Sequence, residues 1–249
     1  MKPLHTQTFV CLDCETTGLD ANMDRIIEVA AVRFTINETL GQIESLIDPE
    51  CEIPETSIAI HHITPEMLVG KPKIQDYLPG LLEFIGNHIL VGHGIKFDMD
   101  IIAASAARAN IPCKVQHNIY IDTLRLARHY GESPINSLEQ LRKHFNIAEE
   151  GAHRAMNDVI VNMDVFKFLT KPYKTVEQIF DVLSRPVAMK IMPLGKHKGR
   201  PITEVPLQFL LWAANKDFDQ DLLFSIRSEI KRRKKGNTFE QSGNPFSQL

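Results

Sequence analysis

Two acids one residue apart, Asp13 and Glu15, stand at the end of the apolar run Phe9-Val10-Cys11-Leu12. Such a run, with β-branched and aromatic members, reads as a buried central strand. Side chains alternate along a strand, so the two carboxylates leave one face and Cys14 the other. Burying two like charges side by side costs several kcal/mol, on the order of the penalty for uncompensated ions, unless each is protonated, hydrogen-bonded or bound to a cation. A hard divalent cation would satisfy both. The plainer alternative has Asp13 capping the following turn and Glu15 solvated at the strand end. Three further groups could join the pair. Asp98 follows the apolar run His88 to Gly94, while His153 and Asp158 open a segment with Val159, Met163, Phe166 and Leu169 at helical spacing. Five residues span roughly 140° on a regular helix, so His153 and Asp158 can address one site only if His153 lies at or before the helix start.

The elements around these residues can be read in order. Arg25 to Phe34 and Leu40 to Pro49 are β-rich, and the short turns between them predict an antiparallel meander whose first strand goes on to pair centrally. Glu28, amid Ile26, Ile27, Val29 and Ala30, either faces solvent or supports the acidic pair from behind. Thr64 before Pro65 and Glu66 looks like a helix N-cap, with His61 and His62 ahead of it as a hydrogen-bonding or substrate-contact pair. Residues 74–85 predict a helix, 88–94 a strand, and about 99–108 an alanine-rich helix, with Asp98 at the junction where N-capping is its ordinary role. A strand and helix recur at 118–123 and 124–129, a short amphipathic helix covers 137–145, and a long helix begins near His153.

The chain has 249 residues, 43% hydrophobic and 24% charged, the composition of an ordinary soluble globular protein. With no charged-then-apolar leader and no apolar run of membrane length, a cytoplasmic protein without a membrane partner is expected. Four cysteines are too few for a disulfide scaffold. Cys11 and Cys14 spell C-x-x-C, but residues three apart on a strand face opposite ways and no second pair completes a zinc set, so buried thiols are expected. Charge is uneven. Residues 1–185 hold 17 Lys plus Arg against 25 acids, whereas 186–235 hold 11 against 5. The basic end suits a polyanion such as nucleic acid, or is simply a solvated surface.

Asp-x-Glu on the first strand, Asp after a later one and His-x4-Asp on the last long helix occur with the phrases E-T-T-G, I-H-x-I-T, V-G-H-x-x-x-F-D and I-D-T-L. Over about residues 6–170 this resembles the DEDDh group of DnaQ-like 3′-to-5′ exonucleases, which includes polymerase III epsilon subunits. A sister group has tyrosine four residues before the last acid, where this chain has Arg154. The resemblance implies an α/β fold, an RNase H-like mixed central sheet flanked by helices. It implies hydrolysis at DNA 3′ ends, single-stranded or overhanging, releasing nucleoside 5′-monophosphates with two Mg2+ or Mn2+ ions. Asp13 would bridge the ions, Glu15 and Asp158 complete the first, Asp98 serve the second, and His153 act as general base. Two hard cations roughly 3.5–4 Å apart can clamp the attacking and leaving oxygens of an anionic diester, which fits a set of carboxylates. By the same resemblance Thr16, Thr17, Gly18 and Leu19 meet the 3′-terminal nucleotide, and Ile60, His61 and Phe97 line its pocket. Gly18 also reads as a plain turn glycine. Gly94 departs from the family, which usually has asparagine there.

The predicted organisation is an exonuclease domain over 1–175, a linker over 176–185, a small basic α+β domain over 186–235 and a disordered tail over 236–249. The Gly195 to Arg200 turn offers Lys196, Lys198 and Arg200 for phosphate contact, or is a basic hairpin tip. Joined behind a DEDDh domain, this part resembles the exodeoxyribonuclease X relatives. The leading expectation is a free-standing DNA exonuclease in repair. The alternatives are a proofreading subunit docked to a DNA polymerase catalytic subunit and an RNA 3′-end trimming enzyme.

Overall fold

The apolar run at the N-terminus is buried on both sides, and its neighbours determine where its acids emerge. The computed structural model describes residues 3–132, 135–148 and 154–241, with side chains to 235. Strands β1 (Phe9–Thr16), β2 (Ile26–Phe34), β3 (Thr39–Leu46), β4 (Ile89–Gly92) and β5 (Tyr120–Asp122) form one sheet in the order β3-β2-β1-β4-β5. The first three make the antiparallel meander, while β4 and β5 add in parallel. Helices α1 (Glu55–His61), α2 (Pro65–Leu68) and α3 (Ile74–Ile85) follow the meander. Helix α4 (Lys96–Arg108) follows β4, α5 (Thr123–Tyr130) follows β5, and α6 (Leu138–His144), α7 (Ala155–Thr170) and α8 (Val176–Leu183) come next.

Alternation along β1 divides the core. Phe9 and Cys11 pack in one cluster with Val159, Met163 and Phe166 of α7, and the Phe9 ring lies 5.6 Å from Phe34 and 5.1 Å from Phe166. Val10 and Leu12 pack in the other with Leu78 and Leu81 of α3 and Ile101 and Ile102 of α4. A strand covered on both faces must be apolar throughout, which accounts for the uninterrupted run. This mixed, doubly covered sheet is the RNase H-like arrangement.

The chain divides into two compact units, Met1–Leu183 and Ser184–Leu249. Residues 176–185, read from the sequence as a linker, are mostly helix α8, with Val176, Ile179 and Leu183 buried in the same cluster as α7. Their three- and four-residue spacing makes a core-facing stripe. The second unit holds α9 (Leu207–Ala213) and α10 (Gln220–Gln241) around Met192, Ile202, Val205, Leu210, Leu222 and Ile226. The bridge between Ile191 and Pro201 is its β content among the described residues, less strand than the α+β reading anticipates. Helix α10 runs past Gly236, where the sequence predicts a tail, because one glycine costs only about 1 kcal/mol inside a helix. Residues 242–249 lie outside the described residues. Among those described, no helix is long and apolar enough to cross a membrane.

Candidate active site

Strand β1 pairs with β4 only from Phe9 to Cys11 but stays paired with β2 as far as Thr16. Past Cys11 the ladder to β4 has ended, at the carboxyl end of the sheet, the usual place for a ligand site in α/β folds. Asp13 and Glu15 emerge here from β1, and Asp158 arrives on the first turn of α7. One carboxylate oxygen from each of the three lies within 4.8 Å of the others. Asp98 approaches through α4, and its Oδ1 accepts the backbone N–H of Cys14 at 2.9 Å. Helix α4 begins at Lys96, so Asp98 lies inside its first turn instead of capping it, and its carboxylate is anchored on β1.

The acids disturb one another. Burial, then the charges of Asp98, Glu15 and Asp158, raise Asp13 well above the usual carboxylate range. Burial, then Asp158 and Glu28, push Glu15 up to about 7 against the opposing pull of Arg154. Burial raises Asp98 to about 7 despite the Cys14 N–H that favours its ionised form. A cluster that resists ionisation is relieved by a cation. Its donors are hard carboxylate oxygens, a set that fits Mg2+ or Mn2+. Of the two thiols on β1, that of Cys14 bonds to the Asp98 carboxylate in addition to the backbone N–H of the same residue. Cys11 is buried, its Sγ 3.6 Å from the Val159 carbonyl oxygen, and Cys14 packs beside the opposite core cluster.

Glu28 faces inward, and it does more than the sequence suggested. It stands opposite Glu15 in the β1–β2 register and is 4% exposed. Its carboxylate accepts Arg154 Nη2 at 2.5 Å, Arg154 Nε at 3.0 Å and the backbone N–H of Ala155 at 3.0 Å. Those bonds cap the first turn of α7, three residues before Asp158. Helix α7 starts at Ala155, after an extended Arg154, and so begins later than the spacing suggested. His153 lies outside the described residues.

The phrase I-D-T-L proves to be a brace. Asp122 Oδ1 accepts the backbone N–H groups of Leu124 at 2.9 Å and Gly94 at 3.0 Å, capping α5 and holding the turn after β4. The fully buried Thr123 hydroxyl lies 3.1 Å from the Gly92 carbonyl and 2.6 Å from Asn162 Oδ1 on α7. Gly94 has φ 81°, a left-handed conformation that glycine and asparagine both adopt, so its departure from the family pattern preserves the backbone.

The residues expected to meet the nucleotide form a tied loop. Thr16 Oγ1 donates to the Gly18 carbonyl at 2.7 Å, and Thr17 Oγ1 donates to Asp24 Oδ1 at 2.8 Å. Gly18 is not left-handed, contrary to a simple turn role. A Cβ there would sit 2.5 Å from Asp24 Oδ2, so close approach is what requires glycine. Ser57 Oγ donates to the Thr17 carbonyl at 2.7 Å, tying α1 to this loop. On α1, Ile60 is 62% exposed, whereas His61 is buried, with Nδ1 accepting the Ile63 N–H and Nε2 unpartnered. Leu19 is 90% exposed and Phe97 half-buried. Lys196, Lys198 and Arg200 are exposed on a turn of the second unit.

The family model for exonucleases of the RNase_T type matches residues 10–166. The chain belongs to this family of DnaQ-like exonucleases. A second family model, QSregVF_b, described as "Putative quorum-sensing-regulated virulence factor", matches residues 181–227. The chain is 34% identical over 175 residues to a PolC-type DNA polymerase III of Clostridium perfringens, covering 70% of this chain but 12% of that protein. To the DNA polymerase III subunit epsilon of Aquifex aeolicus it is 34% identical over 160 residues, 64% of this chain and 78% of that one. Among solved structures, exonuclease X in complex with 5′-overhanging duplex DNA superposes with TM-score 0.54 at 25% identity, over 70% of this chain and 99% of that one. E. coli exonuclease I in complex with a dA16 oligonucleotide shares the fold, with TM-score 0.62 at 23% identity over 71% and 42%.

Proposed function

We propose that this exonuclease removes nucleotides from DNA 3′ ends, releasing nucleoside 5′-monophosphates. The observation that carries the reading is the convergence of Asp13, Glu15 and Asp158 within 4.8 Å beside an anchored Asp98. In this reading Asp13, Glu15, Asp98 and Asp158 hold two divalent cations, Mg2+ or Mn2+. When bound, these would neutralise the scissile phosphate and stabilise charge on the attacking and departing oxygens. His153, from its place in the His-x4-Asp phrase, takes the proton of the attacking water on an imidazole nitrogen. The tied loop of Thr16, Thr17 and Gly18 holds the terminal nucleotide, exposed Leu19 abuts its base, and Ile60, His61 and Phe97 line the same pocket. Glu28 and Arg154 keep Asp158 in register with Glu15.

The test is digestion of matched single-stranded DNA, duplex DNA and RNA labelled at the 5′ end, with Mg2+. Stepwise shortening of DNA by the wild type and none by Asp13→Asn is expected. Full activity in Asp13→Asn would refute the site, and preferential shortening of RNA would move the reading to RNA trimming. The polymerase III relatives favour a second role as a proofreading subunit, for which stable co-purification with a polymerase catalytic subunit is the deciding result.

A further inference from the structure

The geometry points to a stacking site for unpaired nucleobases on the second unit, centred on Trp212 and Phe209. The hairpin from Ile191 to Pro201 is closed by Met192 N–H to Arg200 carbonyl and Gly199 N–H to Met192 carbonyl bonds, both 2.9 Å. Its tip and the start of α9 enclose a groove of about 660 Å3 lined by Leu194, Lys196, His197, Phe209, Trp212 and Phe218. Trp212 is 52% exposed and takes no part in the core of its unit, which closes through Met192, Leu210, Leu222 and Ile226 without it. A large aromatic left out of a complete core, next to a second ring at 5.2 Å, is a surface built for contact.

The charges around the rings select the partner. Lys196 Nζ lies 5.2 Å from the Phe209 centroid and Lys216 Nζ 5.1 Å from that of Trp212, with Lys198 and Arg200 exposed on the same hairpin. Residues 186–235 carry 11 Lys plus Arg against 5 acids. Aromatic faces interleaved with cations are the surface that holds single strands, since every base has a face to stack and every linkage a phosphate to neutralise. The occupant is therefore a single-stranded nucleic acid, a choice that rests on the nuclease reading above. This site would grip a strand by its bases as well as by charge.

Trp212 is the single tryptophan of the chain, so its fluorescence reports on this groove alone. The full chain is titrated in chelator, which prevents hydrolysis, with oligothymidylate, an abasic strand of equal length and oligouridylate. Quenching by the base-bearing strands but not the abasic one is expected. By a label on the strand, Trp212→Ala should bind roughly tenfold more weakly with its salt dependence unchanged, and Trp212→Phe should recover most of the loss. Equal binding of the abasic strand, or unaltered affinity in Trp212→Ala, overturns the inference. Binding of no strand overturns it too and leaves the groove to a protein partner. Hydrolysis with Mg2+ is scored separately, so failure of this site and failure of the nuclease reading give different results.

Discussion

Replacing Asp98 by asparagine should stabilise the metal-free protein while removing its nuclease activity. Burial raises Asp98 from an ordinary 3.8 to about 7. A raised acid holds its proton more tightly when folded, so its stability contribution is full below about pH 4, falls as pH rises, and levels off above about pH 7. At about 1.4 kcal/mol per tenfold change in acidity, that rise amounts to about 4 kcal/mol. Asparagine keeps an oxygen for the Cys14 N–H and loses the charge, while the repulsion among Asp13, Glu15 and Asp158 persists. The expected gain is thus about half, ~2 kcal/mol near pH 8, or roughly 4–8 °C in Tm for a chain of this size. The assay is thermal unfolding in chelator near pH 8 and near pH 4. The gap should largely close at the lower pH, where the wild-type carboxyl is protonated when folded and close to half protonated when unfolded. Excess Mg2+ should favour the wild type, because only its full ligand set gains the binding energy. A lower Tm for Asp98→Asn in chelator near pH 8, or a gap independent of pH, would refute the account of the acids as a mutually strained set.

Two further substitutions probe the supports. Glu28→Ala leaves the buried Ala155 N–H without its acceptor, at a cost of about 1–3 kcal/mol, and frees the start of α7. It should lower kcat more than it raises KM in the DNA digestion, and equal loss in both would remove Glu28 as a positioning residue. Gly18→Ala must displace the Asp24 carboxylate from Thr17 and Asp20, so KM for DNA should rise with little change in Tm; wild-type KM would count against the tied loop as the nucleotide seat.

Local periodicity was enough to read much of this protein. The apolar run into Asp13 and Glu15 determined a buried strand with both acids on one face, the spacing of Leu78, Leu81 and Ile85 determined α3, and the order of the acids indicated the family. What periodicity carries is local, because side-chain direction repeats every two or 3.6 residues along one element. Partners are chosen across the chain. The sequence could not decide whether Glu28 faced water or the site; an ion pair to Arg154, 126 residues away, decided it. For Asp98 the sequence left N-capping open beside its place in the acidic set, and the N–H of Cys14, 84 residues earlier, decided where its carboxylate lies. The helix over 176–183 shows its stripe of Val176, Ile179 and Leu183 in the sequence, but only the cluster it joins assigns it to the first unit; the reason for Gly18 was the approach of Asp24, and the isolation of Trp212 from its core became visible only once that core had closed. Glu28 and Asp98 turn on which buried donor finds which acceptor across the chain, the others on how side chains close against one another, and tertiary structure alone settles that accounting.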